Sequence, residues 1–293
     1  VSMKKIKLFC FGFGQVAKYF VKKLINDKYS LSLVTTNTLK TKEFFFENQK
    51  FKSYFFNNEN YDKKLIKDLN NSNTILVSIP PVDGEDVVAN FFEKEIKNFD
   101  FEWITYLSAT SIYGDKKGNW VDEKSEPNPT SKNGKSRLAA EKKWIELFRK
   151  KDLPIQIFRL SGIYSPEHNI FNRIKSGSLK IVNKPNHFFS RIHVEDIANI
   201  LTLSLDKLKS GEIYNVSDDY PCSNEKIAIY ALDLLKIEKP KMIEIDQIDN
   251  EMIRDFYKDS KKVSNKKIKN VFSYKLKFST YKEGLREIYN HLI

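Results

Sequence analysis

Two short stretches carry residues whose types and spacing could do chemistry. In "PTSKNGKSRLAAE" (129–141), Asn133 and Arg137 stand four residues apart. If the stretch opens a helix, both side chains share one face. The amide of Asn133 can donate and accept hydrogen bonds but cannot ionise. The Arg137 guanidinium can hold hydroxyls or phosphates, yet it never serves as a proton reservoir. The second stretch, "CFGFGQVAKYF" (10–20), sets Gly12-Phe13-Gly14-Gln15-Val16-Ala17 between an apolar run and an amphipathic one. Gly12 permits a tight turn, Gly14 lets a pyrophosphate approach the backbone, and Ala17 stands where a third glycine would allow close helix–strand packing. The amides and positive dipole end of the next helix then face the anion. At a first strand–helix junction this pattern favours dinucleotide binding over a plain turn.

Such residues need a scaffold, and the hydrophobic pattern supplies one. Strands are expected at 4–10, 31–35, 51–56, 74–80, 101–108, 153–160 and 212–216. Helices are expected at 15–26, about 61–70, 85–99, 137–150 and about 195–208, the first with Val16, Phe20, Val21 and Leu24 near one side. Alternation of this kind demands parallel strands joined by crossover helices, an α/β doubly wound parallel sheet. Beyond Ser217 the pattern is mainly helical, with one short strand at "KMIEI" (241–245) and an amphipathic terminal helix (279–293) that turns Leu285 and Ile288 inward. The loop from Tyr113 to Gly134 carries Trp120 in a polar setting and is expected to rim a cleft.

An acid normally ends the second strand of a dinucleotide site and holds the adenosine ribose. Here that position reads Thr35-Thr36-Asn37, followed by Lys40 and Lys42, with no carboxylate before Glu43. A neutral, lysine-flanked pocket tolerates a ribose 2′-phosphate better than an aspartate would, so NADP stands ahead of NAD. Thr36 and Asn37 become cofactor contacts on this reading.

Bulk properties exclude several classes. A length of 293 residues suggests about two domains, and 41% hydrophobic content is enough for a core. No apolar run approaches the roughly 18 residues of a membrane span. Cys10 and Cys222 lie far apart without metal spacing, so a soluble, cytoplasmic protein with no metal is expected. The net charge of +12 raises nucleic-acid binding, but the lysines are scattered instead of forming one stripe. Solvated helix faces account for them better, with Lys258 to Lys269 the one local basic run. The opening pair Val1–Ser2 reads as a remnant of cloning, and the start as a first strand, not a signal peptide.

Several segments together resemble the extended short-chain dehydrogenase/reductase superfamily of NAD-dependent epimerases and dehydratases. They are the glycine turn, "YLSATSIYGD" (106–115), "PTSKNGKSRLAAE", "FRLSGIYSP" (158–166), "RIHVEDIANIL" (191–201) and "GEIYNVSDDYP" (211–221), in the family's order. The resemblance implies a Rossmann domain at 1–164, completed by about 191–216, with 165–190 and 217–293 as a smaller, mostly helical substrate lobe. It also implies a Ser-Tyr-Lys triad: the tyrosine as general acid/base, the lysine holding the nicotinamide ribose, the hydroxyl positioning substrate. Those seats fall on Asn133, Arg137 and Ala109, with Ser108 and Thr110 as hydroxyl neighbours. Cofactor contacts extend to Ser78, Pro80 and Ser108.

With no phenol at the tyrosine seat, Tyr113 is the nearest other proton donor, set against a packing role in its turn. Tyr164 is expected at the substrate cleft. His193 precedes Val194-Glu195-Asp196, where capping a helix start outweighs acid–base work, and the two acids suit the helix dipole. The family's diphosphate-binding arginine falls on Phe189, while Arg191, two positions on, keeps the same strand parity and could contact an anion. The expected function is an NAD(P)-binding epimerase/dehydratase-like oxidoreductase acting on a small carbonyl or sugar-type substrate. The alternative is a catalytically silent dinucleotide sensor, and a homodimer is the assembly this reading allows.

Overall fold

The computed structural model describes residues 4–292, so Val1–Ser2 and Ile293 of the expected terminal helix lie outside the described residues. In chain order the strands are β1 (Lys5–Phe11), β2 (Ser30–Asn37), β3 (Lys42–Phe46), β4 (Gln49–Phe55), β5 (Thr74–Val77), β6 (Trp103–Ala109), β7 (Trp120–Val121), β8 (Ile155–Leu160), β9 (Gly162–Tyr164), β10 (Arg191–His193), β11 (Glu212–Val216) and β12 (Lys262–Val263). The helices are α1 (Gln15–Asn26), α2 (Leu65–Asn70), α3 (Val87–Asn98), α4 (Lys132–Lys151), α5 (Ile170–Lys175), α6 (Val194–Lys207), α7 (Asn224–Leu235), α8 (Glu251–Phe256), α9 (Lys266–Phe272) and α10 (Tyr281–Asn290).

Residues up to Ser108, Ser136–Arg159 and Ile197–Tyr214 make one compact unit. Ala109–Lys135, Leu160–Asp196 and the residues from Asn215 on make a second. The first is built on an eight-stranded sheet in the order β11-β8-β6-β5-β1-β2-β4-β3. The β1–β2, β1–β5, β2–β4 and β5–β6 pairs are parallel. Strand order reverses at β1, and the carboxyl ends of β1, β2 and β5 open there, where α/β sheets bind ligands. Thr74–Val77 is buried at every residue, as a central strand covered on both faces must be.

The α1 stripe of Val16, Phe20, Val21 and Leu24 is buried as its spacing predicts, with Ala17 joining it. Phe20 meets Trp103 edge-on at 5.6 Å, while Phe11, Phe56 and Phe92 form a ring cluster beside β1. Full burial of each such ring is worth about 1.5–3 kcal/mol.

One strand departs from the parallel expectation. β3 pairs antiparallel with β4, joined by the two-residue turn Glu47–Asn48. Both turn residues have positive φ, 48° and 60°, which matches the right-handed twist of a hairpin. This hairpin forms the sheet edge. In the second unit, the strand expected at 241–245 is reduced to one isolated bridge, Val182–Ile243. Glu244 instead caps the turn Ile245–Gln247, its amide bonded to Gln247 Oε1 at 2.7 Å, which ends any extended run. Helix α10 buries Leu285 and Ile288 as expected.

Candidate functional site

The glycine turn sits at the carboxyl end of β1. Gly12 has φ +85°, and a Cβ there would lie 2.6 Å from Ile79 Cγ2, so both backbone and packing require glycine. Gly14 differs. It caps α1 with φ −83°, and a Cβ would meet nothing within 4 Å. Neither φ nor packing therefore forces glycine at 14; glycine is a good N-cap, and its bare backbone also lets a phosphate approach closely. No side chain caps α1 and its first turn has no acid, leaving the positive dipole end open to an anion.

Above this turn lies a cavity of about 630 Å³, whose wall includes Gly12, Phe13, Thr36, Asn37, Ile79 and Pro80. That volume suits a cofactor-sized ligand. Among the described residues no carboxylate lines it, and Lys18 and Lys42 supply cations. Phe44 of the hairpin also lines it, and Phe13 packs on Phe44 at 5.5 Å and edge-on to Phe46 at 5.1 Å. Lys18, Phe44, Ser53 and Asn57 are lining residues that the sequence did not announce.

Thr36 and Asn37 line the cavity but are also anchors of its frame. Thr36 Oγ1 accepts from the Gly12 amide at 2.8 Å. Asn37 donates to Lys40 O and Ser53 Oγ and accepts from the Leu39 and Lys40 amides, building the turn into β3. Ser78 stands behind Gly12 and donates to Phe11 O at 2.9 Å. Gln15 and Val16 open α1, with Val16 buried in the core.

Ser108 is buried at the end of β6, where its hydroxyl donates to Glu141 Oε1 at 2.6 Å. Glu141 in turn takes Arg159 Nε and Nη2 at 3.0 and 2.8 Å, a closed buried network. Arg137 reaches back to β6, donating to Leu107 O at 2.7 Å and Tyr106 Oη at 3.4 Å.

The other candidates belong to the second unit. Asn133 is exposed in the first turn of α4 and donates from Nδ2 to Met252 Sδ at 3.7 Å. Half-buried Ala109 and Thr110 lead into the short 3₁₀ turn Thr110–Tyr113. Tyr113 is fully buried and donates to Asn215 Oδ1 at 2.7 Å. Tyr164 is buried against Gly284 of α10, meets His193 edge-on at 5.0 Å, and burial pushes its ionisation well above the usual phenol range. His193 Nδ1 accepts the Glu195 amide at 3.0 Å at the start of α6, the capping role its position predicts, and burial lowers its pKa to about 4. Arg191 is partly buried, donating to Phe189 O, Cys222 O and Asn224 Oδ1.

The basic run resolves into separate engagements: Lys258 pairs with Asp255, Lys262 lies over the Phe188 ring, and Lys269 pairs with Asp219. Trp120 is 58% exposed on β7, which pairs with β12. Among the described residues no helix is long and apolar enough to cross a membrane.

This glycine turn on a switch-point sheet defines a Rossmann-type α/β protein, and comparison with known proteins agrees. Residues 92–217 match the NAD dependent epimerase/dehydratase family. A functionally unknown conserved protein from Silicibacter pomeroyi is 30% identical and superposes with a TM-score of 0.84 over 97% of this chain and 98% of its own. The Bacillus anthracis dTDP-glucose 4,6-dehydratase, solved in complex with NAD, shares the fold at a TM-score of 0.77 and 17% identity, covering 99% of this chain and 96% of that one. Escherichia coli K12 protein YeeZ is 32% identical over 116 residues; the match spans 39% of this chain and only 39% of that relative's length. Residues 92–217 thus carry an NAD dependent epimerase/dehydratase family segment, within a fold that the chain shares with solved epimerases and dehydratases.

Proposed function

We propose that this protein binds NADP(H) in the first-unit cavity and acts as an epimerase/dehydratase-like oxidoreductase on a small carbonyl or sugar-type molecule. The observation that carries the reading is Gly14, a glycine with ordinary φ and empty space where a side chain would stand, at the uncapped start of α1. Gly12, Phe13 and Gly14, with the Gln15 and Val16 amides, would hold the pyrophosphate. Thr36, Asn37, Ser78 and Pro80 would frame the adenosine half, with Lys18 and Lys42 facing a 2′-phosphate. Arg137 and Ser108 lie toward the nicotinamide half on this reading. When bound, that ring supplies or accepts a hydride.

Residues 165–190 and 217–293 form the substrate lobe on this proposal, with Tyr164 and Arg191 framing it from within. At the family's triad seats, Asn133 offers an amide to a substrate oxygen, Arg137 fixes positive charge, and Thr110 takes the hydroxyl role left by Ala109. Tyr113 holds the turn that carries Thr110. Loss of a phenolic acid/base forfeits about 10²–10⁴ in rate, so turnover is expected to be slow.

NADPH titration by fluorescence tests the reading. Wild type should bind. Gly14→Val should weaken binding by at least about tenfold, or 1.4 kcal/mol, with a loss of about 1 kcal/mol in urea unfolding from the poorer N-cap. Gly14→Ser, a good N-cap, should weaken binding while leaving unfolding unchanged. Lys42→Glu should move preference toward NAD. A wild-type protein that binds neither coenzyme at millimolar concentration would overturn the proposal.

The three altered seats also support a second reading, a dinucleotide sensor without turnover. Ala109→Ser with Asn133→Tyr and Arg137→Lys separates the two. Activity created where the native chain has none, at unchanged coenzyme affinity, identifies the native chain as a binder.

A further inference from the structure

We infer that strand β3 reads the adenosine 2′-phosphate half of the coenzyme, with the Phe44 ring as the platform on which the base stacks. The inference rests on the proposed function and names the residue that selects within the same cavity.

Parallel strands are usually joined by a crossover helix. Here the chain reaches β4, the parallel neighbour of β2, by way of β3, which lies at the sheet edge. The cavity is therefore walled by a strand face, with side chains standing out at every second residue. Lys42 and Phe44 hold successive places in that row, and both line the cavity. Two residues of strand rise by about 7 Å, the reach from the middle of a purine to a phosphate on the 2′ oxygen of its ribose. The pair is spaced for one ligand.

Three rings line the cavity, and they are not equally free. Phe56 is 3% exposed and packed among Phe11, Phe91 and Phe92. Phe13 has Phe44 and Phe46 against it, and the Lys18 ammonium lies 5.9 Å from its centre. Phe44 is half-buried, and its neighbours Phe13 and Phe51, at 5.5 and 6.0 Å, meet it at angles of 57° and 47°. Neither stacks flat upon it, so a planar base can. Phe13 stands between the two glycines of the phosphate turn. The turn that takes the pyrophosphate and the strand that takes the base are thus packed together, and a ring held this way loses little freedom on binding.

Charge agrees with the assignment. Lys18 and Lys42 are the charged residues of the lining, and no carboxylate joins them among the described residues. A phosphate brought beside the ring meets attraction alone.

Calorimetric titration of the full chain with adenosine 2′,5′-bisphosphate, beside NADPH titration, tests the inference. Wild type should bind both. Phe44→Leu keeps an apolar side chain but no flat face, and should weaken both at least about tenfold. Phe44→Trp should restore the affinity, and its added emission should be quenched as the base stacks. Phe45→Leu, at an exposed ring of the same strand, should change neither affinity. Four outcomes would overturn the inference and leave the cofactor proposal standing. They are indifference to Phe44→Leu, a Phe44→Trp emission unmoved by bound ligand, an equal loss in Phe45→Leu, and NADPH binding without adenosine 2′,5′-bisphosphate binding. A wild type that binds neither compound overturns the cofactor proposal, and this inference with it. Phe44→Trp keeps the test alive if Phe44→Leu fails to fold.

Discussion

The Gly12 amide donates to Thr36 Oγ1 at 2.8 Å, tying the glycine turn after β1 to the end of β2. Thr36 is buried, so this bond holds the floor of the cavity and not its solvent rim. Thr36→Val keeps the volume but removes the acceptor. It should cost about 1–3 kcal/mol in urea unfolding and weaken NADPH binding with it. Weaker binding at unchanged stability would instead give Thr36 a direct ligand contact.

Glu141 is the hub of a buried network, and removing one member strands the others. Glu141→Ala should cost about 3–5 kcal/mol by taking from buried, charged Arg159 the carboxylate it is paired with. Replacing Glu141 and Arg159 together with methionine should cost markedly less than the two single losses combined. A double-mutant cycle by chemical denaturation measures this, and simple additivity would contradict the pairing.

Tyr164 packs so closely on α10 that a Cβ at Gly284 would fall 2.0 Å from its hydroxyl oxygen. That hydroxyl is buried with no hydrogen-bond partner among the described residues. Tyr164→Phe should therefore leave stability unchanged or raise it by about 1 kcal/mol. Gly284→Ala should destabilise despite its better helix propensity. A Tyr164→Phe chain that is stable but loses substrate affinity would assign the hydroxyl to the ligand.

His193 supplies a pH dependence with a definite sign. Its Nδ1 accepts the Glu195 amide, which requires the unprotonated ring, and burial lowers its folded pKa to about 4 from an ordinary 6.5. Below the ordinary value the unfolded chain takes up a proton that the folded chain refuses. Stability is thus full above about pH 6.5 and falls, by at most about 1.4 kcal/mol per pH unit, until the folded pKa is reached. His187, lowered to about 4, and Asp218, raised to about 8, also titrate in this window. The test therefore compares urea unfolding of wild type and His193→Leu at pH 7.5 and 5.5, and the wild type should lose more stability than the variant. An equal slope in the variant would assign the effect elsewhere.

Much of this was legible in the residues. Apolar runs flanked by turn formers located β1, β5 and β11, and the 3.6-residue stripe located α1, because local patterning and tertiary burial agree there. The glycine turn was legible for the same reason. The hairpin was not: its turn is Glu47–Asn48, without the Asn-Gly pair that usually announces two left-handed residues. The roles of Thr36 and Asn37 were read as ligand contacts, yet the same hydroxyl and amide can brace a turn, and only the fold shows which atoms they meet. The stack of Phe189 on Phe256 joins residues distant in the chain, a relation no local pattern encodes.

The hairpin turn has one more consequence. Because side chains alternate along a strand, its two-residue length decides which row of β3 faces the cavity. Lys42 and Phe44 line the wall, while Glu43 points outward to pair with Lys50 at 2.7 Å and Phe45 is 74% exposed. A single codon inserted at Glu47–Asn48 could rotate the strand's parity and exchange an ammonium for a carboxylate. On the proposed function, the choice between NADP and NAD would then be one small indel away from inversion.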